Sequence, residues 1–463
     1  MREYLFPERI ILAENAVRAE NLLKKQPLQI GLSEGCTAEF SNHGYVILDY
    51  GRELCASIRL LTFRSDKASV RVRLGESLTE CSSELGEKNS TNDHAIRDFT
   101  VLLPSYSDMT FQQSGFRFVR IDFQGSVQLK SVVAVSEILS KKPKYLYTGA
   151  DVTVARIFEA AKRTVDLCAS SGYVWDGVKR DRLVWIGDMH PEMLALTAIY
   201  GRLREIERSL DFVKEQTPLP GWMNGFPTYS MWWIIIIADY YEKTGAKVFA
   251  KRQIKYLEEL IEQISACVEQ DGALCYPSLF VDWPTQGTPQ VEPGSRAINI
   301  IAMKKAISLL SKFGRSTALA EEVLKRLLKV EIDCSGKKQV IALKHLAVGI
   351  SQDEKARLTE GGARGMSTFM SYYILKAIAS FDKARAIEIM KDYYGAMLDK
   401  GATTFFEDFD IEWANGSCRI DALPKPGEKD IHGDFGAFCY KGFRHSLCHG
   451  WSAGVIQFIK EEC

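Results

Sequence analysis

The sequence contains few of the residues that bind metals or form disulfide frameworks. Its 463 residues include only seven histidines and no HExxH motif, and no carboxylate motif accompanies His445 and His449, which are four residues apart. The eleven cysteines form no CxxC pair and show no regular spacing, which is typical of free thiols in a reducing compartment. We therefore predict neither a metal nor another cofactor.

Long apolar runs and an excess of one charge are also missing. The N-terminal segment MREYLFPERIILAEN lacks the apolar core of a signal peptide, and the longest apolar stretch, MWWIIIIA at 231–238, is too short to span a bilayer. The 59 basic and 59 acidic residues give a formal net charge of zero, which argues against the basic surface that nucleic-acid binding requires. We expect a cytoplasmic protein, unless a leader has been removed, with no membrane or nucleic-acid partner.

Residues 28 to 140 are predicted to form β-strands. Their short runs are rich in Val, Ile, Phe and Tyr, several alternate with period two, and Gly, Ser, Asn and Asp separate them. The runs are YVILDYG, ASIRLLTF, SVRVRLG, DFTVLLP, FRFVRIDF and VQLKSVVAVSEI, and the polar segment at 80–95 is predicted to be a loop. About eight strands with turn signals between them favour a jelly-roll-like β-sandwich, which we predict to be an accessory domain over 1–145.

The rest of the chain, 146–463, is predicted to be helical. Apolar residues recur three and four positions apart in the segments 151–170, 190–213, 229–245, 248–269, 296–313, 317–330, 338–349, 367–380, 383–398 and 446–461. A helical solenoid would show a fixed internal period, and none is present. An α/α barrel is therefore the better interpretation.

All eight tryptophans lie in the helical part. The simplest explanation is that they fill a large core. Four of them, however, lie in loop-like segments beside charged residues, namely Trp175, Trp185, Trp283 and Trp413. Aromatic faces next to carboxylates and amides are typical of a sugar-binding cleft, because the ring stacks on C–H groups while polar groups bind the hydroxyls.

The segment DGVKRDRLVWIGD, 176–188, combines charge with a tryptophan. Asp176, Asp181 and Asp188 lie close together in sequence, and Arg180 and Arg182 flank the second of them. Such a charge run is usually a set of surface ion pairs that holds a loop. The alternative is a substrate cleft in which carboxylates bind hydroxyls and an apolar wall raises the pKa of one carboxyl group.

A second acidic and aromatic segment, GATTFFEDFDIEW, lies at 401–413. It alternates acidic residues, including Glu407, with Phe405, Phe406, Phe409 and Trp413. It could be an amphipathic strand or loop with a solvated acidic face. An enzyme that cleaves glycosidic bonds needs two carboxyl groups across the bond, and two such loops could meet at one rim of a barrel.

Taken together, these motifs resemble the α-L-rhamnosidases of glycoside hydrolase family 78 (GH78). DGVKRDRLVWIGD is similar to the family signature DxxxR[ED]RxxWxGD, and KGATTFFEDFD is similar to its GATTxWExW element. GMSTFMSYYILKAI (365–378), SLCHGWSAGVIQFI (446–459) and GFRFVRIDF (115–123) resemble a barrel helix, the closing helix and a strand upstream of the barrel. The resemblance covers about 28 to 463 in the family's order.

The resemblance implies an inverting hydrolase on an (α/α)6 barrel that acts on a carbohydrate, an α-L-rhamnoside. Asp181 falls on the position of the general acid and Glu407 on that of the general base. Asp176, Arg180, Trp185 and Asp188 fall on positions that hold the rhamnose, and Trp283 and His449 are placed in the same pocket.

Three departures from the family pattern stand out. The acid position holds Asp181, where the best-known members have the longer Glu, and Phe406 replaces the Trp before the base. The resemblance ends with the last helix, so we predict a short form without the family's C-terminal β-sandwich. Because the acid side chain is shorter, either the backbone lies closer to the substrate or the sugar differs from rhamnose.

Other functions stay open at this point. One is a glycosidase for a different sugar, and another is a non-catalytic carbohydrate-binding protein on a decayed hydrolase scaffold. A third is a lyase or a phosphorylase on the same barrel. Tyr229 and His190 could serve a lyase, but neither lies in a recognisable lyase motif. A phosphorylase would need a phosphate-binding cluster at the position of the base, and Glu407 occupies that position.

Overall fold

The computed structural model describes residues 2–31, 35–170, 172–438 and 440–463. Strands occupy the part up to Glu137, and all but one of the described α-helices follow from Val152 onwards. This order agrees with the predicted sequence of a β part and a helical part. None of the helices in the described ranges is long and apolar enough to cross a membrane.

The strands of the described N-terminal part form one antiparallel sheet. They are β1 (Arg2–Leu5), β2 (Arg9–Val17), β3 (Ala38–Ser65), β4 (Ser69–Gly75), β5 (Asp98–Leu102), β6 (Ser107–Gln124) and β7 (Val127–Glu137). Their order is β1-β7-β3-β6-β4-β5, and β2 pairs with β3. The long strand β3 pairs with β6 in two stretches, Tyr45–Asp49 and Leu54–Thr62, with a register shift between them.

The alternating pattern places the apolar side chains of these strands in one core. Val70 and Val72 of β4 and Val119 and Ile121 of β6 are completely buried in it, as period-two alternation predicts. Two predicted strands, 45–51 and 56–63, are parts of the single strand β3, because its pairing with β6 resumes after an irregularity between Asp49 and Leu54, where Gly51 has a positive φ of 75°. The sequence analysis missed β1 and β2.

The α-helices of the described residues are one short helix within the β part and a longer series after it. They are α1 (Leu78–Ser82), α2 (Val152–Cys168), α3 (Met189–Tyr200), α4 (Arg204–Glu215), α5 (Pro227–Thr244), α6 (Lys247–Ala266), α7 (Val291–Lys312), α8 (Ala318–Leu327), α9 (Lys338–Val348), α10 (Gln352–Thr359), α11 (Ser371–Ala379), α12 (Lys383–Asp399) and α13 (Val455–Glu462). Alternate helices contact one another in a closed cycle, α3 with α5, then α7, α9, α11, α13 and α3 again.

Three predictions for the helices need correction. The predicted helix 190–213 is two helices, α3 and α4, because the backbone at Gly201 adopts a positive φ of 69° that ends α3. α10 was missed, since Leu358 is its only buried residue and its apolar periodicity is weak. The predicted helix 446–461 begins as a 3-10 helix, Gly450–Gly454, before α13.

The sheet packs against the edge of the helical part from which the loop after α2 projects. Gly115 of β6 lies against Val178 and Lys179, and a Cβ atom there would come within 2.8 Å of the Lys179 nitrogen. Only glycine permits this approach. The Glu53 N–H donates to Thr403 Oγ1 at 2.9 Å, so the sheet also touches the segment that follows α12.

We expect Trp233 of α5 to be a main contributor to the stability of the helical core. Its side chain is completely buried, and its ring packs edge-on against Tyr256 at 5.2 Å. Trp233→Ala should lower the free energy of unfolding by about 3–5 kcal/mol, because it leaves a large cavity. Urea unfolding followed by circular dichroism measures this as a lower midpoint. Val248→Ala, at a position that is 73% exposed, is the control, and equal midpoints for the two variants would contradict the prediction.

Candidate active site

A cavity of about 220 Å³ lies where the loops after α2 and α12 meet the segment before α13. Seven of the eight site residues predicted from the sequence line it, and they are Asp176, Asp181, Trp185, Asp188, Trp283, Glu407 and His449. The eighth, Arg180, forms ion pairs with two of the seven. The structure therefore brings together residues from four separate parts of the chain, since Trp283 comes from the segment between α6 and α7.

The loop between α2 and α3 is folded back on itself. Asp176 and Leu183 are joined twice, through Asp176 N–H to the Leu183 carbonyl at 3.1 Å and Leu183 N–H to Asp176 Oδ1 at 2.9 Å. At the tip, Asp181 and Arg182 have positive φ angles of 53° and 51°, a backbone conformation that side chains other than glycine seldom adopt and that clusters at functional sites. This turn directs Asp181 into the cavity.

Glu407 is buried, and both its backbone and its side chain are held in place. Its N–H donates to the Ser446 carbonyl at 3.0 Å, and its Oε2 accepts from Ser446 N–H at 3.0 Å. Its carbonyl oxygen accepts from the indole N–H of Trp451 at 2.9 Å and from the hydroxyl of Thr368. The segment that carries Glu407 is thereby fixed to the segment before α13.

Arg180 connects the two predicted catalytic carboxylates. Its Nη2 lies 2.6 Å from both oxygens of Glu407, and its Nη1 donates to Asp181. Nε donates to the Arg444 carbonyl at 2.8 Å, and the Tyr440 ring lies 3.4 Å from the guanidinium carbon. Because one guanidinium contacts both, the nearest oxygens of Asp181 and Glu407 are no more than about 7 Å apart.

Burial raises the pKa of two of the aspartates. Burial raises the pKa of Asp188 to about 8, helped by the charges of Glu407 and Asp181 and opposed by the hydrogen bond from the Tyr229 hydroxyl at 2.9 Å. Burial also raises the pKa of Asp176 well above its ordinary value, and Asp188 adds to the effect. Asp188 can therefore donate as well as accept hydrogen bonds at neutral pH.

His449 is neutral for the same reason. Burial, with Arg180 nearby, lowers the pKa of its ring well below the ordinary value. Its Nε2 lies 3.9 Å from Asp176 Oδ2 and 3.8 Å from Glu407 Oε1. A neutral imidazole at this place adds a polar group to the cavity without adding charge.

Aromatic rings form the remaining walls. Trp185 and Trp283 are partly exposed at the cavity, where Trp185 packs edge-on against Tyr229 and Trp283 edge-on against Phe280. Such geometry is favourable for aromatic pairs. The two tryptophans thus lie at the cavity, as predicted from their places in loop-like segments.

The sequence analysis missed six residues at or near this cavity. Those that line it are Phe226, Tyr229, Phe280, Tyr440 and Trp451, and His94 of the N-terminal part contacts Asp181. An aromatic and glycine-rich segment surrounds Tyr440, a signal similar to the one that drew attention to the tryptophans. No local signal distinguishes His94 from other loop histidines.

One group among the described residues has the composition of a metal site, namely Glu76, Glu80 and His432. Lys179 already supplies a cation there, since its Nζ lies 2.8 Å from Glu80 Oε1 and 3.5 Å from Glu76 Oε2. His432 Nε2 faces the His445 carbonyl at 2.8 Å. These contacts fit an ion-pair cluster better than a metal centre.

Several solved structures resemble the chain along nearly its whole length. A rhamnosidase from Klebsiella oxytoca with rhamnose bound is 18% identical at a TM-score of 0.75, over 100% of this chain and 96% of that one. A GH78 family rhamnosidase of Bacillus sp. GL1 is 17% identical at a TM-score of 0.68, over 95% of this chain and 48% of that one. The Streptomyces avermitilis α-L-rhamnosidase complexed with L-rhamnose is 14% identical at a TM-score of 0.68, over 98% of this chain and 43% of that one. The chain has the fold of the GH78 α-L-rhamnosidases.

The likeness confirms the predicted resemblance to the GH78 α-L-rhamnosidases and the predicted combination of a β part with a helical part. The chain spans nearly all of the Klebsiella structure but only about half, or less, of the Bacillus and Streptomyces structures. No family model and no curated protein matches the sequence. At these identities the likeness is one of GH78 fold alone.

The raised pKa of Asp188 predicts a pH-dependent contribution to stability. Between the ordinary aspartate pKa and about 8, the folded protein keeps a proton that the unfolded chain has released, so the free energy of unfolding falls as pH rises. Asp188→Asn has no such proton to lose. From pH 5 to pH 8, the free energy of unfolding of Asp188→Asn should therefore rise by more than about 1 kcal/mol relative to that of the wild type.

Urea unfolding at a series of pH values measures this difference. Asp66→Asn, at an exposed position, is the control and should follow the wild type throughout. Parallel curves for Asp188→Asn and the wild type would show that Asp188 titrates as an ordinary aspartate.

Proposed function

We propose that the protein is an inverting glycoside hydrolase that removes terminal α-L-rhamnosyl residues, with Asp181 as general acid and Glu407 as general base. One observation carries the proposal: Asp181 and Glu407 lie on the two branches of the Arg180 guanidinium in one tryptophan-walled cavity. The GH78 fold supports it, since two of the similar structures are described with rhamnose bound.

The finer architecture is part of this proposal. The closed cycle of contacts among α3, α5, α7, α9, α11 and α13 supports an (α/α)6 barrel, in which these helices are the inner ring. The N-terminal sheet is proposed to be a jelly-roll-like accessory domain. A boundary at 145/146 is supported by the end of β7 at Glu137 and the start of α2 at Val152.

The cavity suits a single deoxy sugar. Its volume of about 220 Å³ lies below the roughly 300–1,000 Å³ of drug-sized ligand sites. The aromatic walls offer apolar contact for the sugar's methyl group and C–H faces. The carboxyl groups of Asp176 and Asp188 and the neutral ring of His449 offer hydrogen bonds to its hydroxyls.

The proposed roles follow from the placement of charge. Glu407 removes a proton from the attacking water, and Arg180 compensates its negative charge before the water binds. Asp181 protonates the departing oxygen. Inversion requires the water to attack on the face of the sugar opposite Asp181. Glu407 contacts the other branch of the Arg180 guanidinium from Asp181, which supports this arrangement.

A second residue in the cavity, Asp188, is also a candidate for the general acid. Asp188, with a pKa of about 8, is protonated at neutral pH and lines the same cavity. The Tyr229 hydroxyl occupies its Oδ1 at 2.9 Å, which favours a sugar-binding role instead. The leaving-group experiment below separates the two assignments.

A panel of nitrophenyl glycosides tests the substrate class. The α-L-rhamnoside should be hydrolysed at least tenfold faster, on the order of the discrimination that a shaped pocket gives, than the α-L-arabinoside and the β-D-glucoside. NMR during the reaction should detect β-L-rhamnose first, because inversion changes the anomer. Faster cleavage of the arabinoside would refute the sugar, α-L-rhamnose as first product would refute inversion, and no turnover of any glycoside would refute the hydrolase.

We expect the acid and the base to differ in their dependence on the leaving group. Asp181→Asn should lower kcat for an alkyl α-L-rhamnoside by about 10²–10⁴-fold and affect the nitrophenyl rhamnoside much less, since nitrophenolate leaves without protonation. Glu407→Gln should slow both substrates alike, because water must be activated in either case. Steady-state kinetics on both substrates measures the two ratios.

Asp188→Asn is the matched comparison for this experiment. If Asp188→Asn shows the leaving-group dependence and Asp181→Asn does not, the acid is Asp188. Equal dependence for Asp181→Asn and Glu407→Gln would contradict the division of roles.

A further inference from the structure

The N-terminal part of the chain contributes a side chain to the candidate active site. His94 lies in the segment between α1 and β5, and its Nδ1 is 2.5 Å from Asp181 Oδ1. The Asp181 side chain is 6% exposed and that of His94 is 41% exposed. The half-exposed ring therefore covers one edge of a buried carboxyl group that belongs to the proposed catalytic pair.

The segment that carries His94 has a defined internal structure. Buried Arg97 donates to Ser90 Oγ at 2.9 Å and to Ser83 Oγ at 2.9 Å. Asn92 Oδ1 accepts from the N–H of Arg97 at 3.1 Å. Because these bonds join both ends of the segment, His94 is presented by an ordered loop.

The same loop is attached to the rim of the helical part. Asp93 Oδ2 lies 2.7 Å from Arg444 Nη2, and Lys88 Nζ lies 2.7 Å from Asp434 Oδ1. Gly442 lies against the Lys88 carbonyl so closely that a Cβ atom would come within 2.1 Å of it. The carbonyl of Arg444 also accepts from Arg180, so the loop is tied to the residues that surround Asp181.

We propose that His94 is a positioning residue that fixes the orientation of the Asp181 carboxyl group. This inference rests on the proposed function, in which Asp181 is the general acid. Asp181 lies on a turn with positive φ, outside any helix or strand that would set its side chain. Arg180 donates to its Oδ2, the Tyr440 hydroxyl lies 3.4 Å from Oδ2, and His94 contacts Oδ1.

With partners on both oxygens, the plane of the carboxyl group is determined. A general acid must direct its O–H at the departing oxygen, and a small error of placement costs rate out of proportion to its size. The other charged group at the imidazole is Asp93, whose Oδ1 lies 3.3 Å from Nε2. Loss of His94 would leave Oδ1 without this partner and let the carboxyl group rotate.

Three variants test the inference on the full-length chain. His94→Ala should lower kcat for an alkyl α-L-rhamnoside by about tenfold or more, with KM unchanged, and kcat for the nitrophenyl rhamnoside by less than about threefold. His94→Asn keeps an N–H donor near the place of Nδ1 and should recover most of the lost rate. His43→Ala, at an exposed histidine of β3 with a similar φ of 62°, should behave as the wild type.

A double variant tests whether His94 acts through Asp181. In the Asp181→Asn background, His94→Ala should cause no further loss of kcat on phenyl α-L-rhamnoside, a substrate with a leaving group of intermediate quality. Additive losses, equal losses on the alkyl and nitrophenyl substrates, or a change confined to KM would overturn the inference. An inactive wild type would overturn the proposed function and this inference with it, whereas an active wild type with an unaffected His94→Ala variant overturns the inference alone.

Discussion

The pairing of the buried Arg180 guanidinium with Glu407 and Asp181 is the interaction on which the site depends. Only 4% of the Arg180 side chain is exposed, and an unpaired charge at such depth would cost several kcal/mol. Its partners come from the loop after α2, from the segment after α12 and from the Arg444 carbonyl before α13. Satisfying one cation therefore draws three separate segments to the same point.

Several acids near this cation lack a countercharge, and burial raises their pKa values. Asp176 and Asp188 have raised pKa values, and burial raises that of Glu192 well above its ordinary range. Oε1 of Glu192 has no hydrogen-bond partner among the described residues. It packs directly against Gly450, at a place that the Cβ atom of any larger residue would occupy. A neutral acid costs less to bury than a carboxylate, and it leaves hydrogen-bonding capacity in the cavity.

The sequence predicted the elements whose pattern is local. α5 was evident from its apolar run and is buried along most of its length. The predicted strand SVRVRLG has the same bounds as β4, from Ser69 to Gly75. The errors occurred where tertiary contacts override the local signal. β3 is a single strand because β6 pairs with it on both sides of the irregularity at Gly51, whereas a glycine in a short window reads as a break between two strands.

For the candidate site, composition and motif resemblance were enough to choose the residues but could not give their geometry. Acidic residues beside tryptophans marked the loops of Asp181 and Glu407, and the structure brings these loops to one cavity. The bond between His94 and Asp181 depends on how a loop of the sheet docks on the helical rim, through Asp93 and Arg444. No periodicity encodes such a contact, since it arises from the packing of elements far apart in sequence. The division into an accessory and a catalytic part, drawn from the secondary-structure pattern, stays a prediction, and the structure adds to it one contact between the two parts at the proposed acid, that of His94 with Asp181.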